Sequence, residues 1–331
     1  MMNFCTLFDS YYIHKGIALY LSLEKVTDDF HLYVMAFDKD CYKKLQSCGF
    51  KHMTVELSDN FETPELLAVK PSRTKAEYCW TCGPSVTYYF ITKYGLDEVT
   101  YLDSDLFFLA DPHIVKEEIK DSSVAISEQH LFDDKALSYG KYSVQYITFK
   151  NDENGMGCLR WWRDRCIEWC YSRYEDGKYG DQKYLDQFEL LFDNVYVIKN
   201  RGLLGTWDVN LYKLKDNTLV FEGIEYPFVF FHMSGTIFKI KNRVLSMYAD
   251  EFVITPDMSR LFFTPYTELM SDIFVRYFDK DVERIKVKGR SPFYVWLLNV
   301  RGGFRHNKVA RFFYYKVLGK KYNGRGEKKL V

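Results

Sequence analysis

Two aspartates, Asp103 and Asp105, stand one residue apart at the end of the apolar run Val99-Thr100-Tyr101-Leu102. The run is β-branched and aromatic, follows a Gly95-Leu96-Asp97 break, and reads as a short buried strand. A spacing of two along extended backbone sends both carboxylates to one face. Two hard oxygen ligands at a strand end suit Mg²⁺ or Mn²⁺ shared with a substrate phosphate. Such a cation can neutralise a departing diphosphate, which is the difficulty in using a nucleotide-sugar as donor.

The sequence carries its own control, because Asp-x-Asp occurs three times: Asp38/Asp40, Asp103/Asp105 and Asp279/Asp281. A solvated turn accounts for any one of them. Only the middle pair has an apolar strand before it and Leu106-Phe107-Phe108-Leu109-Ala110 after it. Carboxylates in apolar surroundings are costly unless bound to something. The metal reading is therefore given to Asp103/Asp105, and turns to the other two.

Other residues could join this chemistry. His232 follows an apolar run at 228–231 and precedes Met233-Ser234-Gly235. A neutral imidazole at a strand end is a candidate third ligand for Mn²⁺, although a lone histidine is more often structural. Arg73 and Lys75 precede a helical stretch and are placed to meet a diphosphate, or to do nothing specific as exposed cations. Asp181 and Gln182 follow Gly180 at a helix start, where an acid also complements the helix dipole. Neither G-x-G-x-x-G nor G-x-x-x-x-G-K-[ST] occurs, and G-x-S-x-G and H-E-x-x-H are missing too.

The elements that must hold these residues alternate between two periodicities. Strands are predicted at 3–8, 30–36, 52–55 and 99–102, and helices at 12–23, 41–48 and 77–94. That alternation argues a parallel sheet with helices on both faces, whose ligands bind at the carboxyl ends of the strands. Asp9 lies at such an end, as do Asp103 and Asp105. Further strands are predicted at 123–127, 145–149, 195–198, 219–221 and 228–231. The polar segment 128–142 reads as a mobile substrate loop. A long helix at 154–174 carries Leu159, Trp162, Cys166 and Trp169 at helical spacing, an aromatic stripe better suited to a core than to a cofactor.

The 331 residues are natural for one α/β domain with additions, and an aromatic content of 18% can fill a sizeable core. No window is apolar enough for a membrane helix, and the N-terminus has no secretory pattern, so a cytoplasmic protein is expected. The eight cysteines read as reduced core thiols; Cys79-x-x-Cys82 has no second pair and does not read as a zinc site. The net charge of zero hides a split. From Arg284 onward there are fourteen Lys and Arg against one acid, Glu327. Apolar residues there, such as Trp296, Phe304 and Phe312, interleave with Arg301, Arg305 and Arg311 in short helical patterns broken at Gly302-Gly303. Such a tail can lie on an anionic membrane surface or pack as a helical cap. The domain reading is a catalytic unit at 1–250 and a basic, helical extension at 251–331.

The order of parts resembles a bacterial family of nucleotide-sugar glycosyltransferases with the GT-A fold. The matching pieces begin with Glu77-Tyr78-Cys79-Trp80-Thr81-Cys82-Gly83-Pro84-Ser85, Tyr101-Leu102-Asp103-Ser104-Asp105-Leu106 and Tyr142-Ser143-Val144-Gln145. They continue through Arg160-Trp161-Trp162-Arg163, Gly180-Asp181-Gln182-Lys183-Tyr184-Leu185-Asp186 and Phe231-His232-Met233-Ser234-Gly235. The layout is also similar to glycogenin-like and lipopolysaccharide galactosyltransferase-like retaining enzymes. The resemblance implies a mixed α/β sheet flanked by helices, Rossmann-like in its nucleotide-binding half. It implies a metal, Mn²⁺ or Mg²⁺, held by Asp103, Asp105 and His232. Thr6, Phe8, Asp9 and Tyr11 would line the nucleotide pocket, with Ser104 and Gly235 also on the donor. Asp181 and Gln182 would face the transferred sugar and the acceptor, a saccharide or lipid-linked saccharide.

Two departures bear on the donor site. Ser143 stands where the family usually has Asn, a departure that bears on the donor-sugar recognition the resemblance implies for Ser143 and Gln145. The pattern H-x-x-G-x-x-K would place its lysine at Phe238; the nearest is Lys239. A nucleotidyltransferase would share fold class and metal but needs a Gly-rich loop after strand one, where this chain has Phe8-Asp9-Ser10-Tyr11-Tyr12. A non-catalytic polyanion-binding protein would use the tail and leave Asp103/Asp105 unexplained; no nucleic-acid partner is expected, and oligomeric state stays open.

Overall fold

The computed structural model describes residues 1–129, 137–249 and 253–289. The chain opens with β1 (Met2–Phe8), α1 (Ile13–Val26), β2 (Phe30–Ala36), α2 (Lys39–Cys48), β3 (Met53–Leu57), α3 (Pro64–Val69), α4 (Lys75–Lys93) and β4 (Glu98–Leu102). This is the predicted alternation with small shifts at the ends. It continues with β5 (Leu106–Phe108), α5 (His113–Ile119), β6 (Val124–Glu128), β7 (Tyr142–Lys150), α6 (Glu153–Glu168), α7 (Phe188–Leu191) and β8 (Val195–Ile198). The remainder comprises β9 (Leu203–Gly205), β10 (Lys213–Leu214), β11 (Thr218–Phe221), β12 (Ile224–Pro227), β13 (Phe230–His232), β14 (Thr236–Lys241) and β15 (Val244–Ala249). Then come α8 (Pro256–Met258), α9 (Thr264–Phe278) and β16 (Arg284–Gly289).

Among the described residues seven strands form the main sheet, in the order β3-β2-β1-β4-β7-β6-β8. All neighbours pair in parallel except β7, which is antiparallel to both β4 and β6. The parallel sheet predicted from alternation is thus corrected to the mixed one that the resemblance implies. Periodicity reports which segments are strands; it does not report which strand becomes whose neighbour. The helix predicted at 154–174 ends at Glu168, where Trp169 turns to extended backbone.

β1 shows how two cores arise from one strand. Met2, Phe4 and Phe8 enter a core with α1, β5, β13 and α9, while Cys5 and Leu7 enter a second with α4 and α6. Alternation along the pleat sends successive side chains to opposite faces, so the sheet is covered on both sides. Gly16 of α1 sits against the Phe8 ring, where a Cβ would fall 2.2 Å from Cζ, so only glycine lets the helix this close. Trp162 is fully buried in the second core and stacks on Phe149 at 6.0 Å. Truncating such an aromatic to Ala costs about 3–5 kcal/mol.

Of the residues beyond 250, those at 253–289 are described, and they share the main core. Met258, Phe262, Phe263, Tyr266, Met270 and Ile273 lie in the same core as Phe4 and Phe8. The helical reading of this stretch needs correction at its strand β16, which pairs in parallel with β15. There Arg284, Lys286 and Lys288 are exposed while Ile285 and Val287 are half-buried, a period of two that only a strand makes. Residues 290–331 of the basic tail, and 130–136 of the predicted substrate loop, lie outside the described residues. Among the described residues no helix is long and apolar enough to cross a membrane.

Candidate active site

Asp103-Ser104-Asp105 joins the main sheet to a small one. It is a turn, with Leu106 N donating to Asp103 O at 3.4 Å, and not the extended backbone from which the shared face was inferred. The two carboxylates converge because both reach the same imidazole. His232 Nε2 lies 2.9 Å from Asp105 Oδ1 and 3.7 Å from Asp103 Oδ2. Strand pairing puts it there: in the sheet β5-β13-β9, His232 sits opposite Leu106 and beside Gly205. Met233 N then donates to Asp105 O at 2.9 Å, closing the junction.

Behind the imidazole stands Gln145, buried on β7, with Oε1 3.0 Å from His232 Nδ1. The backbone bond from Asp103 N to Gln145 O continues the β4–β7 ladder and fixes that placement. Trp207 walls the other side, its ring edge-on to the imidazole at 5.2 Å. Lys15 of α1, almost fully buried, lies 3.3 Å from Asp105 Oδ2 with its ammonium also 4.7 Å from the Tyr12 ring centroid.

The charges act on one another strongly. Burial alone would raise the Asp105 carboxyl, but Lys15 and His232 hold it well below the usual carboxylate range. Burial would lower His232, yet Asp105 and Asp103 keep it above its ordinary value. Asp103 is pushed up to about 6 by burial, against the pull of His232. Asp181 is pushed up to about 8 by burial and by the charge of Asp103. Perturbed carboxyls gathered at strand ends mark this as the functional-site candidate.

Asp181 precedes a 3₁₀ turn, Gln182–Gln187, and its side chain makes no capping bond to it. Its carbonyl accepts from Trp162 Nε1 at 2.9 Å, so the buried aromatic core sets its position. Gln182 Nε2 donates to Tyr139 O at 3.1 Å, tying this turn to the segment before β7.

The remaining donor-site candidates divide. Thr6 is buried, and its Oγ1 has no hydrogen-bond partner among the described residues. Phe8 is core. Asp9 accepts from Tyr11 N and Tyr12 N and has exposed Lys75 3.8 Å away; Tyr11 is largely exposed. Ser104 is half-buried in the turn between the aspartates. Ser143 is buried, and its Oγ accepts from Gln145 N at 3.3 Å. Gly235 occupies the turn after His232 with φ +70°. Two cations point elsewhere. Arg73 packs over Tyr171 at 3.8 Å and donates to Ile167 O. Lys239 lies on the exposed face of β14 over Tyr248, while Phe238 packs against Tyr266 and Phe274.

Sequence reasoning missed Lys15, Trp207 and Asp208. Asp208 is buried, accepts from Gly205 N at 2.8 Å, and is raised to about 8 by burial. The only signal was the run Gly205-Thr206-Trp207-Asp208, which is too short to separate from a loop. The two control pairs behave as turns and caps do: Asp38 accepts from Cys41 N at the start of α2, and Asp281 pairs with Arg243 at 2.6 Å.

The donor set suits a hard divalent cation. Two carboxylates from one turn and one imidazole nitrogen from the strand beside it converge, a set that Mn²⁺ and Mg²⁺ accept. The three groups are closed onto one another by direct contacts, and among the described residues no group of three such side chains already has the spacing of a formed metal site.

The fold is similar to that of the glycosyltransferase LgtC. An active-site mutant of LgtC, Q189E, matches with a TM-score of 0.52 at 13% identity, over 82% of this chain and 96% of that one. A complex of the galactosyltransferase LgtC with donor and acceptor sugar analogues matches at a TM-score of 0.46 and 13% identity, with the same coverage. The apo glycosyltransferase GlyE of Streptococcus pneumoniae TIGR4 matches at 0.48 and 13%, over 83% of this chain and 63% of that one.

By sequence the chain is 34% identical to the uncharacterized protein YfnF of Bacillus subtilis (strain 168) over 245 residues, 70% of this chain and 80% of that protein. It is 31% identical to YfnD of the same organism over 243 residues, 70% and 77% of the two. The chain belongs to the family of YfnF and YfnD. No protein-family model matches it.

Proposed function

We propose that this protein is a metal-dependent glycosyltransferase. It moves a sugar from a nucleotide-diphosphate donor, of which a uridine nucleotide is our choice, to a saccharide or lipid-linked saccharide in bacterial surface polysaccharide synthesis. The observation that carries the reading is the convergence of Asp103, Asp105 and His232 Nε2 where the main sheet meets the small one. The fold shared with LgtC supports it.

Asp103, Asp105 and His232 would hold the Mn²⁺ or Mg²⁺, which when bound neutralises charge on the leaving diphosphate. Lys15 adds a buried positive charge beside Asp105 and makes the site less negative toward an anionic donor. Asp181 presents a carboxyl near Asp103, positioned by Trp162, where it can accept from a sugar hydroxyl. Gln182 reaches the segment before β7 and offers an amide on the acceptor side. No side chain is assigned as nucleophile, and retention is adopted from the retaining enzymes that the sequence resembles. The basic tail beyond 284 would hold the protein on the cytoplasmic face of an anionic membrane, where a lipid-linked acceptor resides.

The test is a panel of nucleotide-sugars incubated with the protein, Mn²⁺ and mixed acceptor saccharides, followed by free nucleoside diphosphate. Release from one donor, dependent on acceptor, is the expected result. Consumption of a nucleoside triphosphate with a sugar phosphate would replace the reading by a nucleotidyltransferase, and turnover of nothing would favour a binding protein.

A further inference from the structure

The ring nitrogen that His232 turns toward the aspartates is set by what its other nitrogen touches. That other nitrogen, Nδ1, lies 3.0 Å from Gln145 Oε1. An amide oxygen can only accept, so Nδ1 must carry a hydrogen to make this bond. The amide is oriented by its far end as well: Gln145 Nε2 donates to Leu203 O at 3.4 Å. Turning the amide over would set its oxygen against the Leu203 carbonyl oxygen, two acceptors with no hydrogen between them, and lose that bond. Leu203 belongs to β9, the neighbour of β13, so the strand beside His232 fixes the amide that fixes the ring. Gln145 is itself 1% exposed, and its backbone N donates to Ser143 Oγ at 3.3 Å.

We infer that Gln145 is a positioning residue: it holds the hydrogen of His232 on Nδ1 and so reserves Nε2 for the cation shared with Asp103 and Asp105. This differs from the role in sugar recognition that the sequence indicated for Gln145, and it rests on the reading of His232 as a metal ligand. A buried amide behind a histidine would otherwise be ordinary core filling, and the two roles make different predictions.

Two readouts separate them. Long-range ¹H–¹⁵N spectra of histidine-labelled protein, recorded with and without diamagnetic Mg²⁺, report which ring nitrogen keeps its hydrogen. Wild type is expected to keep it on Nδ1 in both conditions. Calorimetric Mn²⁺ titration is expected to show a loss of about tenfold or more for Gln145→Leu, the usual effect of removing such a partner. Gln145→Glu retains the acceptor and is expected to bind Mn²⁺ at least as tightly as wild type. Equal Mn²⁺ affinity for wild type and Gln145→Leu overturns the inference, as does an equal loss in Gln145→Glu and Gln145→Leu. If Gln145→Leu does not fold, the wild-type spectrum decides: an unprotonated Nδ1 refutes the role. Nδ1–H with intact Mn²⁺ binding but no nucleotide-sugar turnover would overturn glycosyl transfer and leave the positioning role standing.

Discussion

Lys15 and Asp105 form a buried ion pair, 3.3 Å apart, with side chains 5% and 11% exposed. An ammonium therefore already neutralises one of the two carboxylates that a divalent cation would need. Without Lys15, Asp105 keeps His232 2.9 Å away as its remaining partner, so the cost stays below the about 3–5 kcal/mol of a wholly uncompensated buried charge. Lys15→Met is expected to lose stability without metal and to recover most of the loss in Mn²⁺, with tighter Mn²⁺ binding than wild type. Denaturant melts of both proteins with and without Mn²⁺ check this. An equal deficit in both conditions would mean that Lys15 is only packing.

The two aspartates are expected to respond oppositely in stability while both variants lose turnover. Asp103 titrates near 6, above its unfolded value, so its charge costs stability as pH rises from about 4 toward 6. Asp103→Asn removes that cost and should gain about 1–2 kcal/mol at neutral pH without metal. Asp105 is depressed, so its charge stabilises above the unfolded carboxylate range and is lost only in acid. Asp105→Asn should therefore melt lower at neutral pH. Turnover in either variant near the wild-type rate would refute the metal pair.

Asp181 offers a test by pH. Its carboxyl is raised to about 8, so the folded state keeps a proton that the unfolded chain loses near 4. Wild-type stability from this group falls between those two values. Asp181→Asn, which carries no charge, should pull progressively ahead of wild type in melting temperature across that window, while kcat drops. A variant that melts lower than wild type at every pH would return Asp181 to a structural role.

How much of this was legible beforehand differs residue by residue. Asp103 and Asp105 could be found because an apolar strand leads straight into them, and His232 because another does the same. Their meeting could not, since it depends on β13 pairing with β5 across more than a hundred residues of chain. Lys15 lies between Ile13 and Ile17 on α1, where a lysine reads as a solvated face; only the packing of α1 over β5 buries it. The direction of β7 was invisible for the same reason, being a property of neighbours. β16 was hidden by its charges, which alternate with Ile285 and Val287 too briefly to stand out from a basic tail.

Lys239 is expected to be dispensable for the donor. It stands over Tyr248 on an exposed strand face, and such surface changes rarely exceed about 0.5 kcal/mol. Lys239→Ala should leave the donor KM within about twofold of wild type. A KM raised tenfold would restore the diphosphate clamp suggested by the sequence pattern.

The membrane role of the tail is tested by truncation after Gly289, which keeps β16 paired with β15. Full-length protein should sediment with anionic vesicles and release in salt, and the truncated chain should stay in solution. Equal sedimentation of the two, or binding indifferent to salt, would rule out electrostatic anchoring.

The central claim is that Asp103, Asp105 and His232 hold a divalent cation on which sugar transfer depends. It is tested most directly by the rate of sugar transfer from the active nucleotide-sugar, measured with Mn²⁺, after EDTA, and after Mn²⁺ is returned in excess. Transfer is expected to stop in EDTA and to resume on return of the metal. Transfer that continues undiminished in EDTA would contradict it.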